Sequence, residues 1–219
     1  GNSGNDTLLI NSSLFGGASV FGGNNTNSGD TDADSLSISA INTAWVYTDQ
    51  GNDTLVVAGA AAGASIYGVS GADSITIAGS ASASSIQGGA GADTILITGN
   101  ALGTTLYGGD NSGSTNDESD LITIGGSASN VLIAGNLGND TLSIANTVVA
   151  GSLYGGSGND LISVNAGGIT AGSIVYGDLG DDSLVVVAGA VVGSSLLGDD
   201  ASGSASDGND SFVLKPPPS

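Results

Sequence analysis

Ser152-Leu153-Tyr154-Gly155-Gly156-Ser157-Gly158-Asn159-Asp160-Leu161-Ile162-Ser163-Val164 is the stretch on which the reading of the chain turns. Ile162 and Val164 follow Asp160 by two and four residues, which puts them on one face of an extended strand. Leu153 belongs to a second extended run before the loop. The glycines between the two runs allow the chain to reverse tightly.

Working outward, the same arrangement recurs. An Asp followed by an alternating apolar run stands at Asp6, Asp34, Asp53, Asp73, Asp93, Asp120, Asp140, Asp160, Asp182 and Asp210. Successive gaps are 28, 19, 20, 20, 27, 20, 20, 22 and 28 residues, a period near 20 with occasional insertions. Two positions after each anchor stand Leu8, Leu36, Leu55, Ile75, Ile95, Ile122, Leu142, Ile162, Leu184 and Phe212. Four positions after stand Ile10, Ile38, Val57, Ile77, Ile97, Ile124, Ile144, Val164, Val186 and Leu214. The second run offers Val20, Val46, Ile66, Ile86, Leu106, Ile133, Leu153, Val175 and Leu196 as inward residues. Next to these come Phe21, Tyr47, Tyr67, Tyr107, Tyr154 and Tyr176, interrupted by Gln87, Ala134 and Leu197. Such a row can present a surface to sugars, but ring stacking between neighbouring strands explains it with less.

A single repeat cannot bury its apolar face, whereas stacked repeats share one core. The expected fold is all-β: a parallel β-solenoid of about ten coils of about 20 residues, two strands per coil, loops along one edge. At a strand spacing of about 4.8 Å the rod is roughly 45–50 Å long. Residues 1–214 read as one solenoid domain with acidic inserts near 24–34, 110–120 and 199–210, and residues 215–219 as a proline-rich tail or linker. The inserts fall at coils two, six and ten, a four-coil super-repeat.

The 219 residues include 39 Gly, no Cys, no Met and no His, and 21 acids against one base, Lys215, for a net charge of −20. That balance disfavours nucleic acid and anionic membrane surfaces, which reward Lys and Arg. No apolar run is long enough to span a bilayer. A chain starting at Gly1 with no visible signal peptide reads as a processed piece or an excerpt of a longer one. Every acid lies between the second strand of one coil and the first of the next, while turns such as Gly79-Ser80-Ala81-Ser82-Ala83 carry no charge. Rows of carboxylates one strand apart repel one another. Multivalent cations between the rungs would account for confining them to one edge.

Gly155-Gly156-Ser157-Gly158-Asn159-Asp160-Leu161-Ile162-Ser163 and Gly88-Gly89-Ala90-Gly91-Ala92-Asp93-Thr94-Ile95-Leu96 both fit the nonapeptide G-G-x-G-x-D-x-U-x. In this the chain resembles the repeats-in-toxin family of calcium-binding β-rolls. The resemblance implies calcium-driven folding, secretion, and several Ca2+ ions held by Asp6, Asp34, Asp53, Asp73, Asp93, Asp120, Asp140, Asp160, Asp182 and Asp210. Asp32, Glu118, Asp178, Asp199 and Asp207 are secondary candidates. The chemistry agrees with it: Asp and loop carbonyls are hard oxygen donors suited to calcium, and zinc or copper would lack His and Cys. The chain departs from the family in having one nonapeptide per coil, so calcium is expected along one edge only. It also replaces the Gly before Asp34 and Asp120 with Asp32 and Glu118. Triplets such as Asn139-Asp140-Thr141 fall inside the loops as a by-product of the repeat, not as glycosylation signals.

Without His, Cys or Arg, and with repeated carboxylates in one shared environment, the chain is not expected to be an enzyme. The expected role is an extracellular or cell-surface structural module that self-associates in a surface layer, sheath or fibril. The alternative is an adhesin or spacer segment of a larger secreted protein. An ice-binding rod ranks third, because the position after the anchor mixes Thr7, Ser35, Thr54, Leu121 and Leu161 where a regular Thr array is needed.

Overall fold

The computed structural model describes residues 4–23, 31–110, 118–199 and 208–216. Most of each acidic insert lies outside these residues, as does Asp207. The described chain is a parallel β-solenoid. Each anchor Asp leads into an anchor strand such as Thr54–Val57, Thr94–Ile97 or Leu161–Val164, and each coil before that of Asp210 closes with a back strand such as Ser65–Ser70 or Ser152–Ser157.

Register is uniform. Leu36, Leu55, Ile75, Ile95 and Ile122 are paired in succession, and so are Val46, Ile66, Ile86, Leu106 and Ile133 on the back sheet. Period-two alternation makes this register costly to slip, since a one-residue shift would send every Ile and Leu to solvent. These residues form one continuous core, with Leu55, Ile66, Ile86 and Leu106 fully buried. On the rung Ser211–Lys215, which among the described residues pairs only with Ser183–Val187, Phe212 and Leu214 are 47% and 63% exposed. That strand runs through Lys215, one residue into the expected tail.

Two expectations need correction. Each coil of the central rod has three strands, not two: after the anchor strand a two-residue strand such as Ala61–Ala62, Ala101–Leu102 or Val148–Val149 continues in the same sheet. The uncharged stretch read as a plain turn is therefore half sheet. It ends on a left-handed residue, Gly63 at φ 58° and Gly103 at φ 57°, with Ala83 and Asn130 taking the same conformation. The corner inside it is narrow and is packed by trade-offs. Ala128 is followed by Val131, whereas the next coil sets Val148 against Gly151, where a Cβ would come within 2.9 Å of Val148 Cγ1. The back strand is also longer than expected, so Asp49 and Asp178 lie within Trp45–Gln50 and Ile174–Leu179 and not in the loops.

The aromatic row forms on the outer face of the back sheet. Phe21, Tyr47 and Tyr67 stack with centroids 5.2 and 4.9 Å apart, and Tyr154 stacks on Tyr176 at 5.6 Å.

Candidate metal-binding edge

The loop edge holds two hydrogen-bonded ladders that run in opposite senses. In the inner one, each anchor N–H donates to Oδ1 of the anchor in the next coil. The ladder runs from Asp6 N to Asp34 at 2.8 Å, through Asp73 to Asp93, Asp120 to Asp140 and Asp140 to Asp160 at 2.7 Å, to Asp182 N and Asp210 at 3.0 Å. All ten anchors take part, so the structure brings the primary candidates into one file. Those from Asp34 to Asp182 are buried, and Asp6 and Asp210 on the end rungs are half-buried.

In the outer ladder the residue before the anchor accepts from the coil that follows wherever it carries a side-chain oxygen, and Ala33, Ala72 and Ala92 interrupt the row. Asn159 N donates to Asn139 Oδ1 at 2.7 Å, Asp181 N to Asn159 Oδ1 at 2.9 Å, and Asn209 N to Asp181 Oδ1 at 2.7 Å. Sequence reasoning missed this row, although Asn5, Asn52, Asn139, Asn159 and Asn209 announce it. The Asn-x-Thr triplets are its trace.

Oδ1 of every anchor from Asp34 onward is thus spent on the backbone, which leaves Oδ2 as the oxygen to follow. In Asp73, Asp160 and Asp182 that oxygen is inaccessible and accepts no hydrogen bond. Such a carboxylate is costly to bury, and no cationic side chain compensates, since the only base is Lys215 on an end rung. The glycine five residues before the anchor forms the other wall. A Cβ on Gly68, Gly88, Gly135, Gly155 or Gly177 would overlap both the anchor Oδ2 of its own loop and the carbonyl oxygen of the matching glycine one coil later. Carboxylate and carbonyl oxygens therefore converge over the glycine Cα in coil after coil. An all-oxygen donor set with a buried, unsatisfied negative charge fits a hard divalent cation such as calcium. Among the described residues no three carboxylates meet, so each site would rely on backbone oxygens for most of its ligands.

Burial, with repulsion from neighbouring anchors, pushes the Asp73 carboxyl up to about 8 and that of Asp160 to about 7, and raises that of Asp182. Asp53 is pushed up by burial only to about 6. Its coil differs: Thr48 stands in the glycine position, and its hydroxyl donates to Gly68 O at 2.8 Å. The backbone N–H of Asp34, which donates to Asp53 Oδ1, helps hold the Asp53 carboxyl down.

The secondary candidates are dispersed. Asp32 caps Gly4 N–H at 2.7 Å. Glu118 is exposed, and its carbonyl lies beneath Gly138. Asp199 is half-buried after Gly198, and Asp178 is on the outer face of the back sheet. The described residues include no helix long and apolar enough to cross a membrane.

A parallel β-solenoid with carboxylates filed along one edge is the class that fold and site define. No protein-family model and no curated protein matches the sequence. Among solved structures, the chain is similar to a hyperactive, Ca2+-dependent, beta-helical antifreeze protein from an Antarctic bacterium, with a TM-score of 0.67 at 20% identity. The match covers 96% of this chain and 64% of that protein, and at that identity the likeness is one of fold.

Proposed function

We propose that this chain is a calcium-stabilised solenoid of the repeats-in-toxin kind, working outside the cell as a structural strut and not as an enzyme. The file of buried anchor carboxylates with no basic partner is the observation that carries the proposal. Bound calcium would supply the missing positive charge. Oδ2 of Asp73, Asp93, Asp140, Asp160 and Asp182, each with the glycine carbonyl one coil later, would hold it. Five such ions bring about +10 to a chain of net charge −20. Extracellular calcium would fill such sites and cytosolic calcium would not, so folding would await export.

The strut reading draws on the opposite edge, where uncharged short strands leave Leu102 and Val192 more than half exposed and two copies could meet without repulsion. The acidic inserts at four-coil intervals would then set spacing between neighbours. Circular dichroism with excess chelator and with millimolar calcium tests the metal. The β-signal and a cooperative melt should appear only with calcium, and the same signal in chelator at low salt would overturn the reading. Light scattering and electron microscopy at millimolar calcium test the strut. Ordered assemblies support it, and persistent monomers leave a spacer or adhesin segment of a larger protein. An ice-recrystallisation assay on the same material should be negative.

A further inference from the structure

The aromatic row on the back sheet is broken at Ala134. Register sets Ala134 directly between Tyr107 and Tyr154, so one ring is absent from a stack whose neighbours elsewhere lie 4.9–5.6 Å apart. The result is a notch of about 450 Å³ lined by both tyrosines, by Ala134, and by Asp110, Asn136 and Asp178. Asn136 and Asp178 stand two residues beyond Ala134 and Tyr176 in paired back strands, on the same outer face. They therefore sit at the loop end of the slot.

We infer that this notch is a binding slot for a guanidinium group, the arginine side chain of a partner protein. The slot spans two rungs, about 9.6 Å, which admits one flat group with a ring face on either side. Aromatic faces carry partial negative charge and attract cations. The polar groups at its end are acceptors. Two are carboxylates, and Asn136 Nδ2 already donates to Gly109 O at 3.1 Å, which leaves its amide oxygen to accept. A planar cation with a fan of N–H donors matches walls and end together, as the compact lysine ammonium does not. A neutral sugar, which both donates and accepts, would find no matching donor in Asp110 and Asp178. A hard metal ion gains nothing from aromatic walls. The chain has no Arg of its own, so the group must come from a partner. This inference does not depend on the calcium reading, because it uses a different face of the rod.

The test is a titration of the calcium-loaded protein with the peptide acetyl-Gly-Arg-Gly-amide, following the tyrosine ring protons by NMR. Lysine and citrulline versions of the peptide and methyl glycosides serve as comparators. The arginine peptide should shift two of the five tyrosine ring systems, with the lysine and citrulline versions about fivefold and tenfold weaker. Ala134→Tyr, which completes the stack and so preserves the fold, should abolish the shifts, and Asp178→Asn should weaken binding about threefold. Equal binding of the citrulline peptide, shifts that survive Ala134→Tyr, a response to the glycosides instead, or no response at all would each overturn the proposal.

Discussion

Thr48 occupies the position that is glycine in Gly68, Gly88, Gly135, Gly155 and Gly177, and its side chain fills the space where oxygens converge in those coils. Thr48→Gly should therefore raise the calcium stoichiometry by one in a calorimetric titration, and an unchanged stoichiometry would show that the Asp53 loop already binds. The anchor carboxyls also set the pH response. Their folded-state values of about 6, 8 and 7 for Asp53, Asp73 and Asp160 lie above the ordinary 3.8, so the folded chain holds more protons than the unfolded one. That contribution is fully present below about pH 4 and is lost as pH rises through the folded values. Metal-free protein should resist urea better at pH 5 than at pH 8, and calcium should remove or reverse the difference. A flat or opposite profile in chelator would contradict the burial of these groups. The anchors were legible in the sequence because ten copies share one spacing. Thr48 was not, because the nonapeptide whose first glycine it replaces was matched in full only in the loops of Asp93 and Asp160.

Single strands in this rod gain little alone, and their contribution depends on what stands above and below. Tyr47 stacks on both Phe21 and Tyr67, whereas Tyr107 is paired with Gln87 and Ala134. Tyr47→Ala should cost about 1–3 kcal/mol more than Tyr107→Ala by chemical denaturation, since an aromatic pair is worth about 0.5–1.5 kcal/mol beyond its burial. Equal losses would mean that the rings act only through the area they cover. The anchor and back strands could be read from period-two patterning, which also named their inward residues. The short strands could not, because two residues such as Ala61–Ala62 or Ala128–Ser129 are too few to show a period and too small to look like core. What makes them strand is the neighbouring rung, a tertiary fact.

At the scale of the whole molecule, register, the anchor ladder and the core repeat with the coil, so the coil is the unit that can be removed. Excising residues 74–93 joins Asp73 to Thr94 and should leave a folded rod about 4.8 Å shorter by X-ray scattering. Excising 74–83 alone should abolish folding, because it mismatches strand to strand. Loss of folding in the first variant would mean that the coils are not interchangeable. The two loop ladders carry a further consequence. The anchor ladder ties every coil to the next, whereas the outer ladder lapses after Ala33, Ala72 and Ala92, which have no side-chain oxygen. A rod pulled from its ends would therefore yield from a terminal rung or at one of those singly stitched gaps. Each 20-residue coil that peels away would release roughly 65 Å of slack at about 3.4 Å per residue, less the one rung it vacates. Under tension such a rod behaves as a series of mechanical fuses, lengthening coil by coil where a globular domain would fail in a single event.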